Sequence, residues 1–158
     1  MIIRELEKKD NKVIEAIIKE SLESVRLNIK GTAYFDPQLG TLFEHYQSLD
    51  NSQYWVAELN HEVVGGIGIG VFDAEKRICE LQKLYLKDNV QGKGYANLLM
   101  KTALAYASQH YHSCYLETRH ELKAAGGLYQ KYGFKLLSEP ILGSEHSAMD
   151  AWYLKELK

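Results

Sequence analysis

Glu80-Leu-Gln-Lys-Leu-Tyr-Leu-Lys-Asp-Asn-Val-Gln-Gly-Lys-Gly-Tyr-Ala96 runs from a strand-like segment through a polar glycine turn into the start of a helix. The first amides of a helix have no internal acceptors and sit at the positive end of its dipole. Such a turn therefore offers donors to an anion such as a phosphate. Gly92 and Gly94 let the backbone approach it closely. A Walker A loop needs Ser or Thr after Gly-Lys, whereas Lys93 is followed by Gly94, which disfavours a nucleoside triphosphate site.

Working outward, Arg77 to Leu86 reads as the strand and Gly92 to Gln109 as the helix. Upstream, Gln53 to Leu59 and Val63 to Phe72 read as two strands joined by Asn60-His61-Glu62, an antiparallel hairpin. Gly66, Gly68 and Gly70 fall on one face of the second strand, stripping that face of side chains. A ligand, another backbone, a bulge or tight packing can each explain such a stripe. The run does not fit Gly-x-Gly-x-x-Gly, so it is no dinucleotide fingerprint.

Further upstream, Ile2 to Leu6 alternates as a strand. Asp10 can cap a helix carrying Val13, Ile14, Ile17, Ile18 and Leu22, and Leu39, Leu42, Phe43 and Tyr46 suggest a second helix. Downstream, Ser113 to Thr118 is a strand and Lys123 to Tyr132 a helix ended by Gly133 in the left-handed conformation. Phe134 to Leu137 and Ser147 to Leu154 complete the strand set. Helix-strand alternation after a hairpin, without repeats or linkers, predicts one mixed α/β domain over residues 1–158.

Composition agrees with this class. The 158 residues are 46% hydrophobic and 25% charged, enough for an ordinary core. The formal net charge of -2, without a dense basic run, argues against a nucleic-acid partner. No apolar stretch has the length of a membrane span and the first residues lack a signal peptide, so a cytoplasmic protein is expected. Cys79 and Cys114 lie in apolar strands and read as buried thiols. The six histidines are scattered, and no metal site is expected.

Gln91, Gly94 and Ala96 match the signature Gln/Arg-x-x-Gly-x-Gly/Ala of the GNAT N-acetyltransferases, and the whole chain resembles that family in its order of elements. Ala125-Gly-Gly-Leu-Tyr129-Gln-Lys-Tyr-Gly-Phe134 is similar to a second family motif, Leu-Tyr-x-x-x-Gly-Phe. The resemblance implies a mostly antiparallel central sheet of about six or seven strands flanked by about four helices. It also implies acetyl-CoA as co-substrate, with no metal. By the same resemblance Gln91, Gly92, Lys93, Gly94, Tyr95 and Ala96 hold the pyrophosphate, and the backbone of Leu84, Tyr85 and Leu86 pairs with the pantetheine arm. Tyr129 is the matching tyrosine that assists the departing thiolate. Glu80 stands where one branch of the family has a general base. At Leu122 the pattern departs from an asparagine that contacts the cofactor in many members.

The chemistry limits these roles. A phenol near ~10 and a thiol near ~8.5 make full proton transfer mildly uphill, so a hydrogen bond from Tyr129 can suffice. A carboxylate near ~4.3 is a weak base toward an ammonium near ~10.4 unless burial raises it or water relays the proton. For the acceptor, Arg26, Tyr34, Phe35, Asp36, His45, Tyr46 and His146 supply polar and aromatic groups in the segments where such folds build that pocket. The leading reading is acetyl transfer to a primary amine of a small molecule. A peptide or protein amine, a non-catalytic acyl-CoA sensor and an unrelated α/β fold stay open, and a homodimer is allowed.

Overall fold

Asn60 and His61 both adopt left-handed backbone, with φ of 52° and 66°. This closes the two-residue turn between β2 (Gln53–Leu59) and β3 (Glu62–Asp73), in keeping with the twist of an antiparallel hairpin. The computed structural model describes residues 1–144 and 146–157. Around the hairpin, β1 (Ile2–Glu5), β4 (Ile78–Leu86), β5 (Ser113–Thr118), β6 (Lys135–Leu137) and β7 (Ala151–Glu156) build a seven-stranded sheet ordered β1-β2-β3-β4-β5-β7-β6. Every pairing is antiparallel except β4 with β5. This is the mixed sheet that the sequence predicts.

The helices α1 (Asn11–Ser24) and α2 (Leu42–Gln47) cover one face; α3 (Tyr95–His110) and α4 (Lys123–Lys131) cover the other. Alternation along β2 divides its side chains between the two layers. Tyr54 and Val56 join Ile14, Ile17, Ile18 and Leu42, whereas Trp55 and Ala57 join Leu99, Met100 and Ala103. Cys79 and Cys114 are buried neighbours on β4 and β5 with free thiols.

Several boundaries differ from the sequence reading. The third helix starts at Tyr95 rather than Gly92, because Gly92 and Gly94 both take positive φ, 77° and 83°. Asp10 does not cap α1. Its carboxylate instead bonds the Glu7 amide at 2.8 Å and grips the Arg4 guanidinium through both oxygens, at 2.8 and 3.0 Å. The last strand begins at Ala151, since Ser147 and Ala148 form a turn closed by the Met149 amide donating to the His146 carbonyl. Gly133 does end α4 as expected, at φ 88°, with the Phe134 amide donating back to the Tyr129 carbonyl.

The glycine face of β3 is filled by protein. A Cβ on Gly66 would stand 2.4 Å from the Tyr54 ring, and one on Gly68 would stand 2.5 Å from the Tyr46 hydroxyl. Tight packing therefore explains the stripe, by Tyr54 and Tyr46 at Gly66 and Gly68 and by the Gln82 side chain at Gly70.

Gly66→Ala should lower stability by about 1–3 kcal/mol, because its new methyl also meets the Trp55 carbonyl at 2.7 Å and backbone cannot step aside. Gly127→Ala, inside α4 with open space around it, should raise stability by up to about 1 kcal/mol. Thermal or urea unfolding of both variants reads the opposite signs.

Candidate functional site

The site starts from an irregularity in β4. Gly66 pairs with Tyr85 and Gly68 with Gln82, so Lys83 and Leu84 together oppose the single residue Ile67. This is a β-bulge, and Lys83 takes the unusual φ of 50°. The extra residue inverts the alternation. Leu81 lies in the α3 layer, and beyond the bulge Leu84 and Leu86 lie there too, while Tyr85 turns to the α1 layer. The Tyr54 hydroxyl donates to the Lys83 carbonyl at 2.8 Å and holds the bulge in place.

β4 pairs with β5 only from Ile78 to Glu80. Beyond Glu80 the strands part, leaving a cleft of about 690 Å³ lined by Glu80 to Leu86 on one side and Leu116 to Thr118 on the other. The β4 edge facing β5 is thus an open strand edge, the kind of surface that accepts an extended amide-bearing chain. At one end the cleft is lined by Gln91, Gly92, Gly94, Tyr95 and Ala96 of the glycine turn. Nothing lies within 4 Å of a Cβ built on Gly92 or Gly94, so their backbone is open to a ligand. The Gln91 side chain donates back to the Leu86 carbonyl at 3.1 Å and ties the turn to the strand end. Leu122, beside the first turn of α4, also lines the cleft; Lys93 does not and stays exposed.

Farther along the cleft is Glu80. Its Oε1 accepts from Gln82 Nε2 at 2.9 Å, and Gln82 Oε1 accepts from the Tyr46 hydroxyl at 2.6 Å. Burial pushes the Glu80 carboxyl above the usual carboxylate range. The Gln82 hydrogen bond opposes that shift, the Glu117 charge adds to it, and His146 and Lys83 draw it back in part.

An ion-pair cluster walls this end. Asp36 accepts from Lys83 Nζ at 2.8 Å and meets His146 Nε2 at 3.1 Å. The hydrogen bond to Asp36 raises the His146 pKa against the effect of burial. Glu117 lines the same wall. Its Oε2 accepts from the Tyr115 and Ser144 hydroxyls, while its buried Oε1 has no hydrogen-bond partner among the described residues.

Tyr129 reaches the cleft from α4, packed edge-on against Phe134 and tilted against Tyr153, with ring centroids 6.0 and 5.9 Å away. Burial, and secondarily Tyr153, pushes its phenol up to about 12. The hydroxyl takes part in no hydrogen bond among the described residues.

The structure thus brings Glu80, Tyr129, His146, Leu84 to Leu86 and the glycine turn to one cleft. It leaves out Arg26, Tyr34 and Phe35. The Thr32 hydroxyl accepts from the Tyr34 amide and caps a 3-10 turn over Ala33–Phe35 that buries Ala33 and leaves Phe35 56% exposed. The Tyr34 phenol turns to Glu23, and Arg26 is exposed just after α1. Gln82, Lys83 and Glu117 were missed as site residues, whereas Asp36 is where the acceptor reading put it, paired with Lys83 and His146. A signal for Lys83 existed in the spacing Leu81, Leu84, Leu86, where a step of three interrupts the period of two.

No group of three or more His, Cys, Asp or Glu among the described residues is arranged to hold a metal ion. No helix among them is long and apolar enough to cross a membrane.

Comparison with known proteins identifies the family and the fold. The sequence model of the acetyltransferase (GNAT) family matches residues 15–134. The chain is 36% identical to an uncharacterized N-acetyltransferase, YjgM, of Escherichia coli (strain K12), over 99% of this chain and 95% of that one. A GNAT-family acetyltransferase from Staphylococcus aureus Mu50 superposes with a TM-score of 0.83 at 22% identity, covering 99% of both chains. A putative acetyltransferase from Salmonella typhimurium, yncA, solved with its cofactor acetyl-CoA, superposes with a TM-score of 0.78 at 21% identity, covering 100% of this chain and 94% of that one. A seven-stranded sheet parted between β4 and β5, a glycine turn at the mouth of the opening and a family match across most of the sequence lead to one conclusion: the chain belongs to the GNAT family of acetyltransferases.

Proposed function

We propose that this enzyme transfers the acetyl group of acetyl-CoA to a primary amine of a small molecule by direct attack. The observation that carries the reading is the cleft itself, which joins an open glycine turn, a free strand edge, Glu80 and Tyr129 in one continuous space. Acetyl-CoA, when bound, supplies an activated thioester.

The residues fit such a ligand. The unencumbered amides around Gly92 and Gly94 suit a diphosphate, and the free edge of Leu84 to Leu86 suits an amide-bearing arm. A strand amide near Leu84 or Tyr85 would stabilise negative charge developing on the carbonyl oxygen. Glu80 takes the proton that the acceptor ammonium loses, and its raised pKa makes it a better base than an exposed carboxylate. Tyr129 stays protonated at neutral pH. At about 12 against a thiol near ~8.5, its phenol serves as a hydrogen-bond donor to the departing sulfur and not as a full acid.

The acceptor end carries three carboxylates, Glu80, Asp36 and Glu117, against Lys83 and His146, which supports a cationic amine. The wall of ion pairs favours a compact acceptor over a long peptide.

Replacing Gly94 with Val both strains a left-handed position and covers the turn's amides, so acetyl-CoA affinity measured by calorimetry should fall at least ~10-fold. Unchanged affinity would remove the turn from the site. For Tyr129→Phe, free-thiol release should show kcat reduced about 10- to 100-fold with little change in the KM for acetyl-CoA. Equal rates would take Tyr129 out of the mechanism. The acid limb of kcat/KM should lie above the ordinary carboxylate range, since Glu80 must be unprotonated to act and its pKa is raised, and Glu80→Gln should abolish that limb.

A further inference from the structure

Glu80 has two oxygens, and only one of them is engaged by a hydrogen bond among the described residues. Oε1 accepts from Gln82 Nε2 at 2.9 Å; no such bond engages Oε2. The Gln82 amide cannot turn over freely, because its own oxygen accepts from the Tyr46 hydroxyl at 2.6 Å. An ionised carboxylate only accepts, so Glu80 holds the Gln82 nitrogen toward itself, and the amide oxygen is left to accept from the Tyr46 hydroxyl.

The chain is also enclosed sterically. Gly70 lies opposite Glu80 in the sheet and Gly68 opposite Gln82. A Cβ on Gly70 would come within 2.7 Å of Gln82 Oε1 and 2.9 Å of Nε2, and one on Gly68 within 2.5 Å of the Tyr46 hydroxyl. Tyr46 is itself only 3% exposed, so water does not compete for its proton.

Resting on the proposed role of Glu80 as proton acceptor, we infer that Gln82 and Tyr46 are positioning residues, which block Glu80 Oε1 and direct the acceptor's proton to Oε2. The Gln82 N–H takes one lone pair of Oε1 and withdraws charge from that oxygen, which leaves Oε2 the more basic and less encumbered of the two. The N–H of the ammonium therefore breaks toward Oε2, which becomes the O–H, and the nitrogen lone pair is released for attack. Gln82 also favours the charged carboxylate, which keeps Glu80 ionised at a lower pH than burial alone would allow.

The groups that face Glu80 are charged or titratable on every side. They are Cys114, Tyr115 and Glu117 from β5, Lys83 from the bulge, Tyr46 from α2, and Asp36 and His146 from the loops. A change in the Gln82 amide removes no other titratable group and unpairs only the Tyr46 hydroxyl, which the Tyr46→Phe variant controls for.

The test is the pH dependence of kcat/KM for a primary amine such as butylamine, followed by free-thiol release. The enzymes compared are the wild type, Gln82→Met, Tyr46→Phe and Gly70→Ala. Gln82→Met removes the donor, so the Glu80 pKa rises and the acid limb should move to higher pH by about one unit. Tyr46→Phe should move it in the same direction by less. Gly70→Ala touches only the far end of the Gln82 side chain, so it should reproduce the shift of Gln82→Met without removing any polar group. Calorimetric affinity for acetyl-CoA should be unchanged in all three. An acid limb that stays in place in the Gln82, Tyr46 and Gly70 variants while Glu80→Gln removes it would overturn this inference alone. Full activity of Glu80→Gln, by contrast, would overturn the role assigned to Glu80.

Discussion

One extra residue in β4 organises the rest of this molecule. Two positions, Lys83 and Leu84, face the single residue Ile67, and the bulge bends the strand away from β5 just beyond the last pairing at Glu80. Without it the parallel pair could continue and the cleft would be filled by sheet. With it, a row of unpaired backbone groups borders an open space, and the Lys83 ammonium, which unbroken alternation would send to the α3 layer, meets Asp36 on the other side. A bulge is costly unless its loose groups find partners, and here the Lys83 carbonyl accepts from Tyr54.

The glycines of β3 serve the same end. Their missing side chains give Tyr54 and Tyr46 room to lie flat against the sheet, and each phenol then reaches a polar group on β4, the Lys83 carbonyl in one case and Gln82 in the other. Burial raises both phenols far above their ordinary pKa, so each is a fixed donor at any physiological pH. A face that looks empty in the sequence is the seat of the hydrogen bonds that shape the site.

Low dielectric governs the chemistry at the centre of the cleft. The same burial that lifts the Glu80 carboxyl toward usefulness as a base lifts the Tyr129 phenol away from usefulness as an acid. The two groups are consequently unequal partners. In the proposed reaction Glu80 changes its protonation state and Tyr129 contributes a directed dipole. Beside Glu80, Asp36 pairs with both Lys83 and His146, and the buried Glu117 Oε1 has no hydrogen-bond partner among the described residues.

The order of strands and helices, the hairpin turn at Asn60-His61, the glycine turn and the left-handed stop at Gly133 were all legible in the residues, because each is decided by local backbone preference or by hydrophobic period. The motif residues Gln91, Gly94, Ala96 and Tyr129 were legible for the same reason, since short spacings survive without tertiary knowledge. What only the folded chain decided is which side chains share a space. Asp36 and Lys83 are 47 positions apart and His146 a further 63, so their meeting depends on the bulge and on the path of two loops. The same applies to Arg26, Tyr34 and Phe35, whose residue types suit a pocket but whose 3-10 turn and helix end aim them elsewhere. Local preference fixes how a segment bends; only packing of distant segments fixes what it faces.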